Sequence, residues 1–588
     1  MSNILEVEQS VSGYKWKFRD CDERQVKALM EHFGFSEVLA KILVARGIGK
    51  ENADDYLKPS VKNSLPDPLH YKDMKQAAER CAKAVIDGEK IAIFGDYDVD
   101  GATASSLLKR FFNSIGAKAV IYIPDRIEEG YGPNEKAIQH LWDIGCKILV
   151  TVDCGTVSYE PLAVAKKIGF ATIVVDHHIG GDLLPEAHAV INPNRMDETT
   201  EHKHLCAVGV SFMLAVAVNT ELRNLGYYKT HAEPNLLKLL DLVALGTICD
   251  VMPLTGINRA FVAQGLKVLS GRTNVGLAAL ADVSGLSEKA GVFHLGFMLG
   301  PRINAGGRIG EASLGARLLT TEDPLEAKEI SLKLNELNNE RRAIEMQVEE
   351  EATKIVEAEH MNDPFIMPIG RGWHQGVVGI VASRMKDRYF KPCAVVTINN
   401  GIAKASGRSI PGVDLGAAIA SARDLGLTLT GGGHAMAAGF TAEEAKLPEL
   451  RKFLFERLSI QPGHNSGRTI NLDGAIAVSG INIALVHDLE KAAPYGTGNS
   501  EPRFVIANCR LVDSQIVGNG HVRCIFDDGG IGSGSKVYAM CFRAMEGKLG
   551  QFFLHSKMKN MHVAARLRLT NWQGRERVET QIDDAVLA

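Results

Sequence analysis

Three apolar runs constrain this chain most, because each is short enough for a single strand and each ends in aspartate. "KIAIF" leads into "GDYDVDG" (95–101), "KILVTVD" (147–153) into "CG", and "ATIVVD" (171–176) into "HH". Stretches of helical length separate them: "ATASSLLKRFFNSIG", residues 133–144 and residues 160–168. Strands alternating with helices predict a parallel sheet with right-handed crossovers. In such a sheet the residues just past the strand C-termini share one edge, where ligands gather. Asp96, Asp98, Asp100, Asp153, Asp176, His177 and His178 fall on that edge. Asp250, in "GTICDVMPL", follows a helix that can return it there.

Acidic turns are common, so "GDYDVDG" alone says little. So many carboxylates in one crevice are another matter, because they repel unless cations neutralise them. Oxygen donors with a minority of imidazole suit Mn²⁺ or Mg²⁺ better than zinc or copper. Two such ions sharing a carboxylate form the clamp used to transfer a phosphoryl group to water.

Bulk properties limit the setting. A chain of 588 residues exceeds one hydrophobic core and predicts several domains. A net charge of −4 gives no global case for binding nucleic acid, so any basic surface must be local. Ten cysteines occur without a C-x-x-C pair, which points to a reducing cytoplasm rather than zinc modules or disulfides. The start, "MSNILEVEQS", lacks the pattern of a signal peptide. The longest nearly apolar run, "LCAVGVSFMLAVAV", is too short to span a bilayer and predicts a buried helix, so no membrane association is expected.

Short helical patterns over 23–57 predict a cap packed on the next domain. Between Leu325 and Asp363 there is neither Gly nor Pro, and Asp323–Pro324 supplies a helix start, so a long connector helix is expected. A glycine-rich α/β stretch follows to 458, then linker composition in "QPGHNSGRT", then short strands that predict a small β-barrel. Two local basic excesses stand out: seven Lys/Arg against Asp387 within 370–412, and eight against Glu546 and Glu576 within 540–578. The second has Phe542, Phe552, Phe553 and Trp572 interleaved, which suits single-strand binding by charge and stacking. Trp572, beside "QGRER" in an expected turn, is the candidate base platform.

"GDYDVDG", "VDCG", "VDHH" and "GTICDVMPL" resemble the four motifs of the DHH phosphoesterase superfamily. With "GPRINAGGRIGE", "ASGRS" and "GGGHAMAAGF", the chain is similar to that superfamily's single-strand-specific 5′→3′ DNA exonucleases, from about residue 25 to the end. The resemblance implies an α/β protein with a parallel-sheet DHH domain (76–320) behind a helical cap (1–75). A connector helix (321–363) joins it to a smaller α/β DHH-associated domain (364–460), and an OB-like β-barrel follows (465–588). It implies two ions, Mn²⁺ or Mg²⁺. Asp96, Asp98 and Asp153 would hold the first; Asp100, Asp153, His177 and Asp250 the second, with Asp153 bridging. His178 would support the ligands or act near the scissile phosphate. Arg302, Asn304, Ser406, Arg408 and His434 would contact DNA or that phosphate, and Arg126 would join Ser406 and Arg408 on a 5′-terminal phosphate. Many superfamily members carry histidine four residues before Asp98; this chain has Phe94, leaving the first site one nitrogen short.

The expected activity is degradation of single-stranded DNA from its 5′ end to mononucleotides, in repair and recombination. The expected partners are a single-strand-binding protein and a helicase, with the chain itself a cytoplasmic monomer. Two other readings share these motifs: a phosphodiesterase of short oligonucleotides or cyclic dinucleotides, and a non-catalytic single-strand-binding scaffold. The extra barrel and cap speak against the first, and the full set of acids against the second.

Overall fold

The structure is a computed structural model that describes residues 5, 7–126, 129–465, 467–529, 534–572 and 574–588. The chain divides into two compact units. One is Pro59–Ile344 with the short segment Pro494–Asn499; the other is Met1–Lys58, Glu345–Ala493 and Ser500–Ala588.

The first unit is built on five parallel strands: β1 (Lys90–Gly95), β2 (Ala119–Tyr122), β3 (Cys146–Val152), β4 (Ala171–Val175) and β5 (Ala189–Ile191). They lie in the order β2-β1-β3-β4-β5. The strands are apolar on both sides because both faces are covered. Ile93, Val150 and Val152 join the large core on one face, and Ala92, Phe94 and Leu149 a smaller one on the other. Phe94 is fully buried and its ring stacks on Tyr122 at 5.4 Å, so this position contributes packing and no metal donor.

Register is what builds the site. Gly95 pairs with Val152, and Val152 with Val175, so the three strands end in one row. The next residue of each is Asp96, Asp153 or Asp176. Helix α1 (Val99–Ser114) starts at once, because the Asp98 carboxylate accepts from the Gly101 amide at 3.0 Å. Gly101 is required here: a Cβ would come within 2.6 Å of the Asp96 carbonyl oxygen.

Helix α2 (Ala207–Asn224) is buried almost all round, as its run of apolar residues predicts. Helix α3 (Leu240–Cys249) delivers Asp250 from its C-terminus, and α4 (Gly300–Ile309) follows a π-helical segment, His294–Leu299. Helix α5 (Pro324–Glu359) has 36 residues, about 54 Å at the usual rise, and the division between units falls within it. Asp323 caps it by accepting from the Leu325 amide at 2.9 Å. Among the described residues no helix is long and apolar enough to cross a membrane.

In the second unit, strands Thr430–His434, Ala437–Glu443, Ile402–Arg408, Cys393–Asn399 and Ile369–Arg371 form one sheet in that order. Its pairs are antiparallel except the last. Five further strands close on themselves in the order Arg503–Val517, His521–Asp527, Lys536–Cys541, Arg575–Leu587, Asn560–Trp572 and back to the first. Closure removes free edges and produces the expected small barrel.

The N-terminal segment departs from expectation. Met1–Lys58 groups with the C-terminal half of the chain rather than with the domain that follows it in sequence. Strand Lys15–Phe18 pairs in parallel with Thr469–Leu472, and the buried Trp16 indole donates to Asp584 at 2.9 Å. Arg46 donates to Asp473 at 3.0 Å. Such long-range partners leave no trace in a local helical pattern.

Candidate metal centre

The aligned strand ends bring donors from four elements together. His177 Nε2 lies 3.2 Å from Asp153, 3.6 Å from Asp250 and 3.8 Å from Asp100. Three overlapping triads have donor atoms within 4.8 Å of one another: Asp96–Asp98–Asp153, Asp100–His177–Asp250 and Asp153–His177–His178. Asp153 belongs to two of them. One carboxylate oxygen each of Asp96, Asp153 and Asp250 is buried without a hydrogen-bond partner among the described residues. A buried acceptor left unpaired costs about 1–3 kcal/mol, more when charged, so three converging ones mark a place for cations. These residues fit divalent ions with oxygen-rich coordination.

Electrostatics agree. Burial, then the charge of Asp98, pushes Asp96 up to about 8 and Asp100 up to about 7. Burial, then Asp100 and Asp98, pushes Asp250 up to about 8, and burial with the neighbouring acids raises Asp153 well above its ordinary value. Burial and the nearby His178 hold His177 down, to about 4, so its ring is neutral and able to ligate.

The acids differ in what else they do. Asp100, inside α1, already accepts from the first amides of α2: Ala207 at 2.6 Å and Val208 at 2.9 Å. Its carboxylate therefore anchors a buried helix N-terminus as well as facing His177. Asp176 is withdrawn from the metal triads. It accepts from the amides of His177, His178 and Thr156 and from His178 Nδ1 at 2.8 Å. Burial alone would lower His178, but this hydrogen bond and the acid's charge outweigh it and raise the ring to about 9. The imidazole is thus held as a half-exposed cation beside Asp153, at 3.8 Å. Sequence reasoning put Asp176 on the edge but missed this orienting role, which depends on hydrogen-bond directions.

Backbone strain collects at the same place. Asp153 and Val251 adopt the left-handed region, at φ 60° and 59°. Aspartate tolerates that; a β-branched valine does not, and Val251 follows Asp250 directly. The Tyr131 hydroxyl donates to the Asp153 carbonyl at 2.9 Å and fixes the turn.

A basic wall rises beside the acids in the same unit. The Arg126 guanidinium lies 5.1 Å from the centre of the Tyr97 ring. Gly307 lets α4 press on the acidic loop, since a Cβ there would come 2.8 Å from the Tyr97 carbonyl oxygen. That close approach brings Arg308 in. Burial, then Arg126 and Arg341, lowers it to about 10, so cations crowd here. Asn304 is half-buried one turn before Arg308. Arg302 donates to Met298 O at 2.7 Å and to Asn335 at 3.0 Å, beside Arg342. Arg308 was not singled out from sequence; its signal was the paired glycine before it, in "NAGGRIG".

The remaining candidates lie in the other unit. Ser406 and Arg408 share a strand, with Arg408 Nη1 3.3 Å from Ser406 Oγ and 2.8 Å from the Gly407 carbonyl oxygen. Gly379 leaves room above them, for a Cβ would sit 3.0 Å from Ser406 Oγ. Arg408 meets no carboxylate among the described residues, unlike Arg371, Arg384 and Arg388, which pair with acids. His434 is exposed at a strand end, and its Nδ1 accepts from the Met436 amide at 3.3 Å. Trp572 closes a strand rather than sitting in a turn, and its side chain lies outside the described residues.

The basic reading of the tail needs correction. Arg566 pairs with Asp583 and Glu501, Arg568 with Glu501, Lys557 with Asp513 and Arg543 with Glu546. Three of these partners, Glu501, Asp513 and Asp583, lie outside the 540–578 window, so part of the local excess is neutralised on folding. Lys548, Lys559, Arg575 and Arg577 pair with no carboxylate among the described residues.

Comparison with known proteins fits this geometry. Family models match residues 90–247 (DHH family, N-terminal domain), 362–459 (DHHA1 domain) and 472–584 (RecJ OB domain). The single-stranded-DNA-specific exonuclease RecJ of Bacillus subtilis is 32% identical over 98% of this chain and 71% of its own length. That of Escherichia coli is 33% identical over 93% of this chain and 95% of its own. The crystal structure of RecJ in complex with Mn²⁺ from Thermus thermophilus superposes with a TM-score of 0.81 at 29% identity, covering 97% of this chain and 79% of that one.

Proposed function

This chain belongs to the RecJ family of single-stranded-DNA-specific exonucleases, and on that premise we propose that it hydrolyses single-stranded DNA from the 5′ end to mononucleotides. The work it serves is repair and recombination. The observation that carries the reading is the convergence of Asp96, Asp153 and Asp250, each with a buried oxygen that accepts no hydrogen bond among the described residues.

Asp96, Asp98 and Asp153 hold one Mn²⁺ or Mg²⁺, and Asp100, Asp153, His177 and Asp250 the other. Bound ions of this kind polarise a phosphate and lower the pKa of an attacking water. The protein supplies the rest. Asp176 aims His178, which donates to a phosphate oxygen. Arg302 and Asn304 meet the strand on the catalytic unit, and Arg126 with Arg308 takes the 5′-terminal phosphate there through forked, charge-assisted donors. Ser406, Arg408 and His434 bind strand phosphates on the other unit, and Trp572 offers a base contact on the barrel. The domain limits given above, a monomeric state, a cytoplasmic setting and docking by a single-strand-binding protein and a helicase complete the proposal. The ten free cysteines support the setting.

Cleavage of a long 5′-phosphorylated strand is compared with that of a dinucleotide, with and without Mn²⁺. Mn²⁺-dependent release of mononucleotides from the long strand is expected. A preference for the dinucleotide would favour the oligonucleotide phosphodiesterase, and binding without cleavage the scaffold.

A further inference from the structure

Next to the metal centre lies a feature that the proposed chemistry does not use. Phe293 and Phe297 are 54% and 72% exposed, and their rings stack at 5.2 Å and an interplanar angle of 22°. Phe297 belongs to the π-helical segment His294–Leu299, and such irregular windings recur at functional sites. Two large apolar side chains held in mutual contact yet more than half open to solvent form an aromatic surface.

Its surroundings indicate what covers it. The π-helical segment rests on the end of α3: Cys249 Sγ donates to the Leu295 carbonyl oxygen at 3.5 Å, and a Cβ on Gly300 would strike that sulfur. Cys249 immediately precedes Asp250. On the other side, the Met298 carbonyl oxygen takes the Arg302 guanidinium at 2.7 Å, and Arg342 adds a second positive charge. The segment that carries the aromatic pair thus touches the helix end that bears an acidic ligand on one side and a pair of arginines on the other, all in one unit. That combination matches a chain of alternating phosphates and flat, unpaired bases. A protein surface would not need the two cations, and a duplex hides its base faces in its own stack.

We propose that Phe293 and Phe297 form a base-stacking platform that holds an unpaired nucleotide of the strand while Arg302 and Arg342 take the adjoining phosphate. The proposal rests on the nuclease reading above. It makes single-strand selectivity partly a matter of chemistry: only a base free of its partner offers a face to the rings. Stacking of this kind tolerates every base, which a degradative enzyme requires.

The test uses the full chain with Mn²⁺. KM and kcat are measured on single strands that carry one abasic position moved stepwise from the 5′ end, for the parent protein and for Phe293→Ala/Phe297→Ala. The parent should show a KM penalty at one register. In the double variant KM on an intact strand should rise about tenfold, the scale of one lost base stack, with kcat little changed and the register dependence gone. Phe297→Trp should keep both the affinity and the register. An unchanged KM in the double variant, or the same abasic profile as the parent, overturns the platform while leaving the nuclease reading intact. If the parent cleaves no single strand, the nuclease reading itself falls, and the platform with it. Both rings are exposed, so melting temperatures should match, and a large drop in the variant would mark the rings as structural and overturn the assignment.

Discussion

The strand-end cluster of the first unit and the ion-pair network of the barrel are both crowded with charge, and they solve the crowding in opposite ways. In the barrel, Arg503 and Arg566 share Asp583, and Arg566 and Arg568 share Glu501, so opposite charges interlock. At the strand ends, like charges converge, and three buried oxygens accept no hydrogen bond among the described residues. Charge density alone does not mark a site. Charge that the fold brings together and leaves unpaired does.

The largest expected effect tests the unpaired side. Asp153→Ala should reduce Mn²⁺-dependent hydrolysis by three orders of magnitude or more, about 4 kcal/mol in the activation barrier. The melting temperature of the metal-free protein should hold or rise, because one member of a repulsive group is gone. Near-normal turnover in that variant would dissolve the contrast.

The second test separates the clusters by pH. Asp96 and Asp250 are pushed up to about 8 in the fold, whereas unfolded carboxylates titrate near ~4. Between those values the folded, metal-free protein keeps protons that the unfolded chain has released. Its stability from these groups therefore falls as pH rises from about 5 to 8. The barrel behaves oppositely: the hydrogen bond from Arg510 holds Asp527 below the usual carboxylate range, so its contribution is lost only as pH falls. Melting of chelator-treated protein across that range should show the first unit loosening with rising pH and regaining stability when Mn²⁺ is added. A flat profile for that unit would mean that its acids are not mutually repelled.

Smaller again is Arg566→Ala, which leaves Asp583 and Glu501 half-satisfied at a partly buried position. It should cost about 2 kcal/mol of stability without changing the rate constant for hydrolysis at saturating substrate. A loss of kcat would place the network in the catalytic machinery. The smallest effect concerns Val251. Glycine there should relieve about 1 kcal/mol of left-handed strain, seen as a modest rise in melting temperature. If Val251→Gly instead lowers both stability and turnover, the valine side chain has a role of its own.

What the sequence revealed and concealed follows the same divide. Acids placed directly after apolar strands were legible because strand register in a parallel sheet is set by the apolar pattern, and the register carries Asp96, Asp153 and Asp176 to one row. The long helix was legible from its proline start and its lack of breakers. Four things were not. Asp100's hold on α2 and Asp176's hold on His178 depend on hydrogen-bond directions that no spacing encodes. The tail's basic patch was overstated because a window of sequence counts only near neighbours, and Glu501 and Asp583 arrive from outside it. The N-terminal segment's attachment was hidden for that reason too, since its partners, Thr469–Leu472, Asp473 and Asp584, lie hundreds of residues away.

That attachment also bears on how the molecule is made. Strand Lys15–Phe18 and Trp16 leave the ribosome long before Thr469–Leu472, and longer still before Asp584, which complete them. At about 5–20 residues per second the opening segment waits on the order of a minute for its partners. Most of the unit that carries the acids, Pro59–Ile344, lies in between and can close around its own sheet during that wait. Synthesis would thus leave a nascent chain with its acidic centre already assembled while Trp16 still lacks Asp584.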